Sequence, residues 1–585
     1  MIRDHFRVMA VDLASGEGSI VELDGRNTVA GGSGLAASLF SKYGKPDKPW
    51  DDPEQPVIFA IGPLTGYFPL MSKTVCAFKS PYHNQYAESH AGGRSALSLC
   101  FSDLDALVVT GKAKRTSCLS IGSRRLELRD IDYLSGADVY ATGKLLRRTE
   151  KGSGHRSILR IGPAGERGSA FACINADTYR HFGRLGGGSA MGVKNLKAVV
   201  IHGDAVFPLP DNKDYAAVFD EVYKRVTATD MMSKYHNLGT PVNMAVLNEI
   251  KALPIRNLQK TGDPAIEGIT GERFARDALL RNSACSGCPI GCIHIGFMRE
   301  KFMEENRYLY RQVSYDHEPI FAAGAMLGVN DCFAVLSLLD MTEKMGLDVM
   351  SAGVALSWAT EASEKGLLAQ EETIVPLRFG DAVAYKEAIR HLALGTNEFY
   401  KLLGQGTMKA ASRYGGSDFA CVLGQEMAGY ATGEVFFTSQ ALGFRHSHLD
   451  AAGYTYDQKH KGKDIAKAAD FLVEDECGRA FLTSMVSCLF ARSVYTDEVL
   501  AKCLNAAGYG ALAENMKAVS RHVQKLRWKT RMSTGFDPEG VSIPKRFTEV
   551  VTESGSIDPS YLEELKKEYA RRIRELARNA DIKGP

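Results

Sequence analysis

The chain has 585 residues, 45% hydrophobic and 24% charged, an ordinary globular composition that excludes a disordered chain and a fibrous repeat. Lys and Arg total 71 against 69 Asp and Glu, a formal net charge of +2, so nothing in the balance asks for nucleic acid or an anionic membrane as partner. No stretch reaches the roughly 18 uncharged apolar residues of a membrane span. The opening MIRDHFRVMAVDL lacks the apolar core of a secretory signal, which makes the cytoplasm the expected compartment.

The length predicts several domains. The first part reads as β-rich: VIFAIG (57–62), TVCAFKS (74–80), ALVVTGKA (106–113), SILRIG (157–162) and KAVVIHG (197–203) are short apolar runs bounded by Gly, Pro or charge, the signature of strands. Glycine-rich turns lie between them at 30–37, 90–96 and 182–192. After about Pro208 the apolar spacing becomes helical, at 214–226, 333–346 and 463–485. The last helix is the clearest, with Asp558 as N-cap, Pro559 in the first turn, and Leu562, Leu565, Tyr569, Ile573 and Leu576 on one face. These changes of pattern predict domains over 1–205, 206–405 and 406–585.

Among 12 cysteines, Cys76, Cys100, Cys118, Cys173, Cys332, Cys421, Cys477 and Cys503 are scattered in apolar surroundings and read as small buried hydrophobes. Cys285, Cys288 and Cys292 form C-x-x-C-x-x-x-C, a spacing that lets thiolates converge from a tight loop opening a helix. Soft sulfur ligands suit an iron–sulfur cluster or zinc. Three local thiols leave a cubane one ligand short, and Cys488 in SMVSCLFA is the candidate for the fourth. The glycine-rich segments around Arg94, Arg180 and Arg184 could bind phosphate through backbone N–H and guanidinium groups, or be plain turns. Neither matches a P-loop or a dinucleotide fingerprint.

Taken in order, the blocks IGPLTG (61–66), KSP (79–81), AGG (91–93), LVVTGKA (107–113), IGPAGE (161–166), MGVKNLKA (191–198), NLQKTG (257–262), CSGCPIGC (285–292), GVND (328–331), MGLD (345–348) and finally Cys488 resemble the tungsten-containing aldehyde ferredoxin oxidoreductase family. The resemblance implies an α+β fold, in which an N-terminal β-sheet domain seats a bis-pyranopterin and two mainly helical domains follow. It implies tungsten or molybdenum held by the pterin dithiolenes, magnesium bridging their phosphates, and a [4Fe–4S] cluster on Cys285, Cys288, Cys292 and Cys488.

Other residues carry over unevenly. Lys73 stands where the family usually has an Arg linking cluster and pterin, keeping the charge but losing the bidentate fork. His90 replaces a usual Asn before Gly92, Gly93 and Arg94. Arg180 and Arg184 fall in the segment expected on the other pterin face. The family's D-x-x-G-L-D appears as Glu343, Lys344, Met345, Gly346, Leu347 and Asp348, whose carboxylates suit pterin N–H groups. The partner motif D-x-x-G-L-C keeps only its cysteine, in TSMVSC (483–488).

For catalysis the resemblance implies a Glu and a His. Glu318, in DHEPIF, takes the first place, with a raised pKa expected from burial. In GFRHSHLD, counting from Gly443 selects His446, and matching the following His-Leu selects His448; the first is preferred slightly. Arg445 beside them is an addition suited to a carboxylate or a phosphate. The activity implied is oxidation of an aldehyde to a carboxylate, with electrons passing to ferredoxin or an iron–sulfur subunit of a homo- or hetero-oligomer. The alternatives are a low-potential reductase of an aromatic thioester, like benzoyl-CoA reductase, and a catalytically inactive member stabilised by zinc.

Overall fold

The computed structural model describes residues 3–152, 154–303, 307–460 and 462–579. The described residues between Phe6 and Gly203 build two six-stranded sheets. Strands β1 (Phe6–Asp12), β2 (Glu17–Leu23), β3 (Val57–Ala60), β4 (Thr74–Lys79), β5 (Tyr86–Ala91) and β6 (Ala106–Thr110) pair in the order β2-β1-β6-β3-β4-β5. Strands β7 (Ser117–Gly122), β8 (Arg125–Asp130), β9 (His155–Arg160), β10 (Ile174–Ala176), β11 (Arg180–Phe182) and β12 (Leu196–Gly203) pair in the order β11-β10-β9-β12-β7-β8. Only β1 with β6 and β7 with β12 run parallel in these sheets.

Alternation along each strand assigns its faces. Cys76 and Phe78 of β4 share a core with Leu119 and Ile121 of β7 and Val199 and Ile201 of β12, so the two sheets stack face to face. Val75 and Ala77 point the other way, into a core with helix Gly32–Tyr43 and the C-terminal helices. Leu146 of helix Val139–Thr149 covers the back of the second sheet. Burial on both faces makes such strands continuous apolar runs, and all five predicted strands are of this kind. Several strands outside the prediction are short, exposed or charged, such as β8, RLELRD, and β5, YAESHA with Glu88 and His90 in it; β7, SCLSIG, is fully buried but interrupted by serines.

The predicted helices are present as Tyr215–Thr227, Cys332–Met345, Ile465–Ser484 and Pro559–Arg578, and the Asp558 carboxylate caps the last through the amides of Ser560 and Tyr561. The cysteine loop is a correction. It opens no helix; it joins β13 (Leu279–Ser283) to β14 (Ile293–Met303), which pairs with β15 (Arg307–Tyr315). The following IHIGF alternates β-branched residues with others at period two, a strand preference that outweighs the helical surroundings.

The architecture is α+β, with the sheets first and helix-rich segments after. We propose a domain boundary near 205, where a coil carrying the exposed Val206 and Leu209 leaves the second sheet. Near 405 packing is continuous: Ala410 and Ala411 of helix Thr407–Tyr414 share a core with Phe321, Leu336 and Trp358. Among the described residues no single helix is long and apolar enough to cross a membrane.

Candidate active site

Strand β5 at the edge of the first sheet packs on β11 at the edge of the second. Beside them lies a cavity of about 870 Å³ whose wall takes residues from both sheets and from the helical half. Cys285, Cys288, Cys292 and Cys488 all line it. Backbone bonds of one short segment hold the two cysteine stretches together. Leu70 donates its N–H to Gly287 O (3.2 Å) and accepts from Cys488 N (2.9 Å), while Lys73 N donates to Val486 O (3.1 Å). Ser286 N donates to Gly93 O (3.0 Å), tying the loop to the end of β5. A Cβ on Gly92 would stand 2.6 Å from Cys285 Sγ, so only glycine lets the backbone pass there.

Burial alone would push the Cys285 thiol up, but Arg180, Lys73 and a backbone bond at Gly93 bring it below its ordinary value. Burial pushes Cys288 up to about 12 and Cys292 up to about 11. These two stay protonated until a metal displaces the proton. Among the described residues no three His, Cys, Asp or Glu side chains converge closely enough to hold a single ion, so the four thiols border a shared space instead of pinching one point.

Lys73, His90, Gly92, Arg180, Arg184, Glu343, Leu347 and Asp348 line the same cavity. Arg180 Nε and Arg184 Nη1 are buried there without hydrogen-bond partners. Arg184 is oriented by Asp348 Oδ2 (3.3 Å) and Glu426 O (2.6 Å). Asp348 also caps helix Val349–Glu364 through Ser351 N (3.0 Å), and Glu343 Oε1 is 3.6 Å from His181 Nε2. Three expected contacts stand outside the wall. Gly93 contributes its carbonyl to Ser286. Arg94 is exposed, its amide bound to Asp177 (3.1 Å). Gly346 serves as a left-handed helix cap (φ 75°) whose carbonyl accepts from Cys173 N. His90 Nε2 is 3.2 Å from Glu88 Oε2, a carboxylate that Arg527 binds through two nitrogens at 3.0 Å each.

Glu318 and His448 meet on the cavity wall, His448 Nε2 lying 3.2 Å from Glu318 Oε1. The Tyr430 hydroxyl donates to the same oxygen (3.0 Å). Burial works against the Glu318 charge, yet His448 and His317 hold its pKa below the usual range, which corrects the expectation of a raised value. His448 Nδ1 is buried with no partner. His446, the preferred histidine of the sequence reading, is not on this wall. Its Nδ1 faces Ala441 O (2.8 Å), its Nε2 contacts Arg531, and its ring lies 5.0 Å from that of His83. The backbone at His446 has a positive φ of 50°, and His448, two residues on, lines the cavity. Arg445 lines the wall already paired, Nε to Asp450 Oδ1 at 2.7 Å. Sequence reasoning missed Asp316 and Tyr430. Asp316 stands in the same DHE segment as Glu318, whereas nothing in MAGYAT (427–432) marks Tyr430.

A model of the aldehyde ferredoxin oxidoreductase N-terminal domain matches residues 8–203, and one of domains 2 and 3 matches residues 217–575. The tungsten-containing aldehyde ferredoxin oxidoreductase of Pyrococcus furiosus is 29% identical over 566 residues, 93% of this chain and 91% of that protein. The protein of the same description from Thermococcus kodakarensis is 29% identical over 568 residues, with the same coverage. The WOR-like subunit of an aliphatic sulfonate oxidoreductase from Pyrococcus furiosus is 28% identical over 523 residues, 84% of this chain and 80% of that one. The active site complex BamBC of benzoyl coenzyme A reductase, solved with 1,5-dienoyl-CoA, shares the fold, with a TM-score of 0.82 over 97% of this chain and 95% of that chain at 18% identity. The two matched regions together span most of the chain, which therefore belongs to the aldehyde ferredoxin oxidoreductase family and is an oxidoreductase.

Proposed function

We propose that this protein oxidises an aldehyde to a carboxylate at a tungsten or molybdenum bis-pyranopterin. Electrons leave through a [4Fe–4S] cluster on Cys285, Cys288, Cys292 and Cys488 to a ferredoxin or an iron–sulfur subunit, in the cytoplasm. The observation that carries this reading is that four thiols from two distant stretches and the Glu318–His448 pair line one cavity. The wall fits such groups. Buried, unpartnered Arg180 Nε and Arg184 Nη1 would suit pterin phosphate oxygens, and a magnesium ion would add to the neutralisation of their charge. Glu343 and Asp348 face the same space for ring N–H groups. Bound there, the cofactor would supply a two-electron acceptor and a Lewis acid.

The chain's own residues supply positioning and proton transfer. The overall change is RCHO + H₂O → RCOO⁻ + 3H⁺ + 2e⁻. Glu318 accepts the His448 Nε2–H, which leaves the unpartnered Nδ1 as the basic nitrogen. His448 takes a proton from the attacking water, and Tyr430 fixes the carboxylate that fixes His448. Lys73 and Arg180 offset the negative charge of a thiolate-bound cluster.

Protein purified without oxygen is expected to contain tungsten or molybdenum and about four iron atoms per chain, by elemental mass analysis. Iron absent from such preparations, or zinc in its place, would sink the reading and leave an inactive scaffold. Gly92→Ala is expected to lower bound iron at least severalfold by displacing Cys285 Sγ. Lys73 and His90 depart from the family pattern close to the cofactor space, which favours a second reading, low-potential reduction of an aromatic thioester. Aldehyde-dependent viologen reduction set against ring reduction separates the two.

A further inference from the structure

Asp316 is a cavity carboxyl that the scheme above does not use. It lines the same wall as Glu318, and its side chain does not cap the helix His317–Ala323 that it precedes. Its Oδ2 lies 3.8 Å from Arg180 Nη1, and the Arg180 charge in turn acts on the Cys285 thiol. Its side chain is 38% exposed, and that exposed part belongs to the cavity wall.

The charged and titratable groups facing Asp316 are Glu318, Arg180, His181 and Lys73. Two neighbouring carboxyls resist carrying two negative charges. His448 and Tyr430 hold Glu318 ionised, so a proton taken up by the pair goes to Asp316. Burial and Glu318 raise its pKa against the pull of Arg180, His181 and Lys73.

We propose that Asp316 takes up one proton when the cluster gains one electron and gives it up when the cluster is reoxidised, with Arg180 as the link. The proposal rests on the functional reading above. An electron added to the cluster draws the Arg180 charge toward the sulfurs, which weakens its hold on the Asp316 carboxylate and raises proton affinity there. Each turnover yields two electrons and three protons. Two of the protons pass through Asp316, one with each electron, and the third leaves with ionisation of the product acid.

The test is a potentiometric titration of the cluster in the holoenzyme, followed by electron paramagnetic resonance, over roughly pH 5 to 8, where a raised carboxyl titrates. In the unaltered protein, reduction is expected to become easier as pH falls, by up to tenfold per pH unit, which is 59 mV for one electron. Asp316→Asn is expected to abolish that slope and Asp316→Glu to keep it. An unchanged slope in Asp316→Asn overturns the proposal. If that variant fails to assemble its cluster, Asp316→Glu decides: its longer arm is expected to move the pH at which the slope begins, and an unmoved slope again overturns it. Protein without iron defeats the functional reading instead, so the two failures are told apart.

Discussion

Glu318→Gln is expected to lower turnover about 10²- to 10⁴-fold, the range seen when positioned acid–base groups are removed. The carboxylate Oε1 receives both His448 Nε2 and the Tyr430 hydroxyl. A glutamine oxygen can still accept both bonds, but it carries no charge to hold the imidazole, and a flipped amide turns an N–H toward His448. The imidazole then loses the tautomer that leaves Nδ1 basic, much as the aspartate-to-asparagine change does in a serine protease triad. His448→Ala is expected to give a comparable loss. Tyr430→Phe removes one hydrogen bond to an ionised carboxylate and is expected to cost about ten- to a hundredfold. His446→Gln supplies the contrast. That ring is buried between Ala441 O and Arg531, away from the cavity wall, so melting temperature should fall while turnover per tungsten atom stays within about threefold. Steady-state kinetics with aldehyde and viologen, normalised to metal, measure all four. Equal losses at His446 and His448 would refute the assignment.

What the sequence made legible follows from how local each signal is. The four cysteines line one cavity because a spaced thiol motif is readable in a dozen residues, and Cys488 was reachable by asking where a fourth ligand could come from. Strands buried on both faces announce themselves as apolar runs. Strand β5 does not, since Glu88 and His90 interrupt it, and those two residues take part in the buried network behind the cavity. The histidine at 446 could not be told from that at 448 by counting, because what separates them is their distant partners, Arg531 for one and Glu318 for the other. Tyr430 and Asp316 matter through partners far along the chain, respectively 112 and 136 residues away for Glu318 and Arg180, which no local pattern encodes. The three-stranded sheet was hidden by the helical rhythm on either side of it.

The same long-range logic predicts the largest effect on stability. Arg527→Met is expected to destabilise the fold by about 3–5 kcal/mol, the cost of leaving a buried carboxylate without its counter-charge. Glu88 lies on β5 and Arg527 on helix Met516–Ser533, so the pair joins the first sheet to the C-terminal helices. Both side chains are almost fully buried, at 0% and 4% exposed. Glu88 also accepts from Ser33 Oγ (2.9 Å) and Tyr86 OH (3.0 Å), which completes its lone pairs and leaves no slack for water. Replacing both partners by apolar residues of similar volume should recover most of the loss, since the penalty lies in the orphaned charge. The pH dependence gives an independent check. Burial disfavours the Glu88 charge, but Arg527 and His90 hold its pKa below the ordinary carboxylate range; that contribution is present above the unfolded value near 4.3 and lost as pH falls below it. Burial and Arg445 bring His90 down to about 4. The unfolded chain therefore binds that proton first, and stability declines as pH falls from about 6.5 toward 4. Denaturant unfolding of the metal-loaded protein should accordingly show the gap between unaltered protein and Arg527→Met widest near neutrality and narrowing below about pH 4, where protonated Glu88 no longer needs its partner. A gap that stays constant through that range would mean that the pair contributes packing and not charge.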